Sequence, residues 1–109
     1  MPRKSTINFS GQSGTVFTFD TQDISKTPTI RESVYFVTHR KINVFGAVRD
    51  VVYIGQSVDI TSKFPDHPKK ACFQEHEADC LCIYAEDSEP ERQRIYDDLI
   101  NGYEPKCNR

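Results

Sequence analysis

The run Val51-Val52-Tyr53-Ile54-Gly55-Gln56-Ser57 constrains this chain most. Its apolar part is short and rich in β-branched residues, and it stops abruptly at Gly-Gln-Ser. That reads as a buried strand ending in a tight turn. Ser57 can cap a helix that follows. Upstream, Ser33-Val34-Tyr35-Phe36-Val37 has the same character and suits an antiparallel neighbour, so that each strand carries one tyrosine in mid-sheet.

Around this pair the rest of the chain falls into order. Thr6-Ile7-Asn8-Phe9 and Val16-Phe17-Thr18-Phe19 alternate about a glycine-bearing turn and predict an N-terminal hairpin after a frayed start at residues 1–5. Asp20 to Ile30 reads as a polar connector. Asn43 to Arg49 turns the chain, with Gly46 near the tip. Asp59–Phe64 suits a short helix closed by Pro65 and Pro68, and 66–78 reads mostly as loop, anchored by Phe73. Cys80–Tyr84 is the last strand. A helix from Ser88 to about Asn101 follows, with a capping-box pattern at Ser88 and Glu91, Pro90 in its first turn, an apolar stripe of Ile95, Leu99 and Ile100, and Gly102 as its stop.

A length of 109 residues favours one domain. The expected class is α+β: a small antiparallel three-stranded central sheet flanked by helices, with an extra N-terminal β-hairpin. The division is 1–30 for hairpin and connector and 31–109 for the main unit. Net charge is -2, so no overall basic field advertises nucleic acid, although a local patch is enough. No apolar run approaches the roughly 20 residues of a membrane helix, and the start carries no signal-peptide core. A cytoplasmic protein with no membrane partner is the expectation. Its four cysteines, Cys72, Cys80, Cys82 and Cys107, are then expected as reduced thiols. With His67 or His76 they offer zinc ligands, but no C-x2-C spacing is present, and packing as buried thiols is the simpler reading.

The order of motifs resembles the GIY-YIG nuclease domain over about residues 33–108. The resemblance rests on Tyr35 in a first strand and on Tyr53-Ile54-Gly55-Gln56-Ser57 in a second. It continues through the helix, strand and helix that follow, and ends on Leu99-Ile100 with Pro105 and Asn108. It implies that Tyr35, Tyr53, Lys63 and His67 form a phosphodiester-cleaving site on one divalent ion, Mg2+ or Mn2+. In such a site the metal polarises the phosphate, a cation stabilises its developing charge, and a tyrosine or histidine handles the proton of the attacking water.

The chain departs from the pattern in three places. Ser33 and Val34 replace the first glycine and isoleucine. Lys63 stands where the family has arginine, which keeps the charge and loses the bidentate fork. Tyr96 stands where the family has its metal-binding glutamate, and a phenol with a pKa near ~10 is no anionic ligand at neutral pH. Arg92, one turn earlier, matches a position that is often arginine. Two carboxylates are candidates to replace the missing one. Asp97 is rotated about 100° from Tyr96 around the helix, and Glu89 lies on the same face, roughly 10 Å away. By the resemblance, Asn108 is expected to pin the C-terminal strand through backbone hydrogen bonds.

Each candidate has a plainer reading. Tyr35 and Tyr53 suit a pleated core, Tyr96 an amphipathic helix, and Lys63 and His67 a solvated surface. Arg40, Lys41 and Arg49, beside His39 and with Lys69 and Lys70, form the candidate nucleic-acid-binding surface. Three functions follow. The first is a divergent nuclease-like domain, weakened or inactive in hydrolysis, that binds nucleic acid or a protein partner. The second is an active metal-dependent endonuclease with a relocated carboxylate. The third is a small structural or regulatory protein with no nucleic-acid role.

Overall fold

The computed structural model describes residues 6–29, 32–44 and 46–108; the frayed start expected at residues 1–5 lies outside them. Five strands form one antiparallel sheet: β1 (Thr6–Ser10), β2 (Val16–Asp23), β3 (Ser33–Asn43), β4 (Gly46–Ser57) and β5 (Cys80–Ala85), in the order β1-β2-β5-β3-β4. Three α-helices accompany it: α1 (Ile60–Lys63), α2 (Lys70–Glu75) and α3 (Glu89–Ile100). Short 3-10 turns occupy Phe64–Asp66 and Lys106–Asn108. Among the described residues no helix is long and apolar enough to cross a membrane.

This overturns the expectation of a three-stranded sheet flanked by helices with a hairpin appended. The sheet is a curled half-barrel, and strand exceeds helix, 40% to 29%. The hairpin belongs to it because β2 does not stop at Phe19. The polar stretch read as connector continues the strand, and Asp20, Thr21, Gln22 and Asp23 pair with Ile83, Cys82, Leu81 and Cys80. A three-stranded sheet would leave one side of β5 as a row of unpaired backbone groups, and β2 fills it. Side chains give a second reason. Phe9 stacks on Phe36 at 3.9 Å and Phe19 meets Phe36 edge-on at 5.0 Å, so the hairpin's aromatic face finds its cover on the central strands.

The sheet buries both faces. One carries Phe9, Phe17, Phe19, Val34, Phe36, Ile54 and Cys82 under Ile95 and Leu99 of α3. The other carries Tyr35, Val37, Val52, Leu81 and Ile83 under Ile60, Phe64, Phe73 and Cys107. Strand alternation produces this split, with one exception that matters for function. Val37 pairs with Tyr53 but Thr38 pairs with Val51, so β4 carries one extra residue, Val52. Such a bulge re-aims side chains locally. Val52 and Tyr53 consequently both pack on the second face, while Val51 and Ile54 pack on the first.

The helices follow the sequence in outline and differ in detail. Asp59 caps α1 by accepting from the Ser62 amide at 3.3 Å. Ser88 occupies the N-cap of α3, but its side chain makes no capping bond, and Glu91 pairs instead with Arg94. Helix α2 lies within the stretch expected to be loop. Asp98 ties α3 to the hairpin: its carboxylate accepts from the Ser13 amide and hydroxyl, both at 2.8 Å, and its carbonyl from the Gln12 amide. At the other end, Asn108 bonds both backbone groups of Ile54 at 2.8 Å, covering the outer side of β4 as a paired residue would.

Candidate functional site

Tyr35, Tyr53, Lys63 and His67 meet in one cleft of about 480 Å³. Strands β3 and β4 supply the tyrosines, α1 ends in Lys63, and the turn after Phe64–Asp66 supplies His67 and Lys69. The first turns of α3 close the cleft with Glu89, Arg92 and Gln93, and Gln56 donates to Gln93 at 2.6 Å to hold strand and helix together.

The hydrogen bonds give the centre a direction. The Lys69 amide donates to His67 Nδ1 at 3.0 Å, so the neutral ring carries its proton on Nε2. Nε2 lies 2.7 Å from the Tyr35 hydroxyl and donates to it. The Tyr35 proton is then directed to Tyr53, with which it also bonds. The chain His67–Tyr35–Tyr53 is therefore polarised toward the Tyr53 oxygen. Phe73 and Phe64 pack about the imidazole at ring separations of 4.9 and 5.9 Å.

Burial sets the charge states. It is the main reason that His67 titrates below its ordinary value, and the Lys69 charge adds to the effect. Burial likewise pushes the Tyr35 phenol far up, with Tyr53 second, and pushes Tyr53 up with Tyr96 adding to it. At neutral pH the cluster is thus an uncharged relay, and the charges belong to its rim. Among the described residues, Lys63, Lys69 and Arg92 line the cleft with a single carboxylate, Glu89. The local balance is positive in a chain whose net charge is -2.

Arg92 is unusual. It is only 3% exposed, one guanidinium nitrogen donates to the Glu86 and Asp87 carbonyls, both at 3.1 Å, and the Glu32 carboxylate is 3.9 Å away. Its buried Nε has no hydrogen-bond partner among the described residues. A buried donor left in this state is costly unless something accepts from it.

The other candidates separate. Of the two carboxylates, Glu89 lines the cleft. Asp97 is exposed and accepts from Gln93 at 2.8 Å. The Tyr96 phenol is near enough to disfavour ionisation of both site tyrosines, and its ring packs on the α3 face of the sheet. The basic residues do not form one surface. Lys69 lies at the cleft, while Lys70 donates to the Pro65 carbonyl at 3.2 Å. Arg40, Lys41 and Arg49 belong to the far part of the β3–β4 hairpin, five or six residues along β3 from Tyr35, roughly 17–20 Å. There Lys41 pairs with Asp50 at 2.6 Å, and Arg49 reaches Thr38 at 3.3 Å. Arg49 also helps to draw the Cys80 thiol down to about 6, after the larger effect of the Cys82 thiol beside it.

The cysteines split as well. Cys80 and Cys82 are on the α3 side of the sheet. Cys72 and Cys107 are bonded to each other on the opposite side, which corrects the expectation of four reduced thiols. His76 joins them, and the three donor atoms lie within 4.8 Å of one another. Helix α2, in the stretch expected to be loop, sets Cys72 and His76 one turn apart. Compared with known proteins, the chain matches no family model, no curated protein and no solved structure.

Proposed function

We propose that the cleft binds a phosphodiester of a nucleic-acid strand, in a cytoplasmic, divergent GIY-YIG-like domain whose hydrolysis is weak or lost. One observation carries this reading: Lys63, Lys69 and the buried, incompletely bonded Arg92 line the same cleft as the Tyr35–His67 pair. Cations and neutral phenol donors around a concave site suit phosphate oxygens. Weak hydrolysis follows from Tyr96, which stands where the resemblance calls for a metal-binding carboxylate.

A second reading, an active endonuclease, is favoured by the position of Glu89 in the cleft. Its carboxylate is a hard oxygen donor, and Mg2+ or Mn2+ is commonly held by one or two carboxylates with water completing the shell. These residues fit such an ion, with Glu89 as its protein ligand. The ion, when bound, would polarise the phosphate. Tyr53, at the outer end of the His67–Tyr35 chain, would orient the attacking water, and Lys63 would meet the developing charge.

Binding of labelled single-stranded and duplex DNA across a salt series tests the first reading. If Lys63 and Lys69 each meet a phosphate, affinity for duplex falls roughly tenfold between about 50 and about 200 mM salt, and Lys63→Ala flattens that dependence. Binding that is absent at low salt or indifferent to salt overturns it. Plasmid cleavage with Mg2+ or Mn2+ separates the two readings. Cleavage lost in both Glu89→Gln and Tyr35→Phe establishes the enzyme, and binding without cleavage establishes the retired site.

A further inference from the structure

We propose that Cys72, His76 and Cys107 form a binding site for one thiophilic divalent ion of the zinc type in the reduced protein. The donors come from two segments 35 residues apart. Cys72 and His76 are four apart, and the His76 amide donates to the Cys72 carbonyl at 3.1 Å, so both side chains leave the same face of one turn. Cys107 is buried in the C-terminal 3-10 turn opposite them. The three donor atoms already lie within 4.8 Å of one another. Two zinc-bound sulfurs sit roughly 3.8 Å apart at Zn–S distances near 2.3 Å, so small side-chain rotations open the bonded pair into a ligand pair.

The chemistry of the donors selects the ion. Two thiolates and an imidazole suit zinc and disfavour Mg2+ and Mn2+, which take oxygen. Three protein ligands leave a fourth position for water. In a reducing compartment the Cys72–Cys107 bond accepts two electrons and two protons from a dithiol, which is itself oxidised to a disulfide. Metal binding then displaces the two thiol protons to solvent. The same three residues therefore link α2 to the C-terminal turn in either state, by a covalent bond when oxidised and by a metal when reduced. That link lies next to Asn108, which holds Ile54 in the strand carrying Tyr53.

The test is titration of the full chain with Co2+, after reduction by a phosphine and removal of metals. Thiolate-to-cobalt charge-transfer absorption is expected to saturate at one ion per chain and to be displaced by Zn2+. Cys107→Ser is expected to abolish it. His76→Ala, at a half-buried helix end, is expected to weaken binding by more than the roughly tenfold that loss of an outer-shell partner costs. Cys80→Ser, on the other face, is expected to leave it unchanged. Absence of the charge-transfer band in reduced wild type overturns the proposal. So does undiminished affinity in His76→Ala, or loss of binding in Cys80→Ser. None of these readouts depends on whether the cleft binds nucleic acid.

Discussion

Gly55 lies opposite Tyr35 in the β3–β4 ladder, and the tyrosine ring crosses directly above it. A Cβ there would stand 2.6 Å from the Tyr35 Cζ and hydroxyl and 2.7 Å from a Tyr53 ring carbon. Tyr35 is 4% exposed, and its ring packs against Tyr53 and Phe64. Gly55→Ala is therefore expected to destabilise the protein by about 1–3 kcal/mol in urea unfolding and to lower affinity at the cleft, because both phenols must shift. His67 gives a pH signature. Its folded value is depressed below 6.5, so the unfolded chain takes up a proton that the folded ring resists. The contribution of His67 to stability is complete above about pH 6.5 and declines as pH falls through and below that value. His67→Gln is expected to flatten the fall between pH 7.5 and 5.5 relative to wild type, read by urea midpoints at each pH. At this scale much of the cleft was legible. The resemblance put Tyr35, Tyr53, Lys63 and His67 forward, and it left Glu89 and Asp97 as alternatives, of which Glu89 lines the cleft. The reach of Arg92 into the cleft, and its unsatisfied Nε, depend on packing that no spacing encodes.

Strand pairing is the least local property of the chain, and the sequence reading faltered there. Asp20–Asp23 is polar on both faces and finds its partner, Cys80–Ile83, about sixty residues away, so no alternation marked it as strand. The α2 segment is six residues long, with Phe73 alone fully buried, too short for a helical stripe to register. By contrast the hairpin, β5, α3 and the inner parts of β3 and β4 were legible from their apolar residues, whereas the stretch Asn43–Arg49 expected to turn the chain is largely strand, with β3 running to Asn43 and β4 starting at Gly46. The corrected architecture has a test. Phe19 is fully buried between Phe9 and Phe36. Phe19→Ala is expected to cost about 3–5 kcal/mol of global stability, with the whole sheet unfolding in a single transition by circular dichroism. A separable hairpin would instead show little global loss and an early local transition.

The two faces of the sheet are closed by different means. On the α3 side, aromatic packing and the Asp98 bonds to the Gln12–Ser13 turn bring the N-terminal hairpin and the last helix together. On the cleft side, α1 and α2 are short and cannot be stable by themselves. They are held by Phe64, Phe73 and the cross-link from Cys72 to Cys107, which also fixes the chain end that pairs with β4. Closing 35 residues in the unfolded chain is worth about 3–4 kcal/mol on the chain-entropy account. Reduction in the presence of a chelator is expected to lower stability by that amount, a fall in Tm of roughly 15 °C. The loss should fall unevenly. Amides of α2 and of the Lys106–Asn108 turn should exchange hydrogen first, and the Ile54 amide, whose acceptor is Asn108, should follow them before the amides of β5 do. Hydrogen exchange of the oxidised and reduced chain checks this. Uniform acceleration across both faces would mean that the cross-link stabilises the molecule only as a whole. Acceleration confined to the cleft side would mean that the geometry of Tyr53 and His67 depends on the Cys72–Cys107 bond.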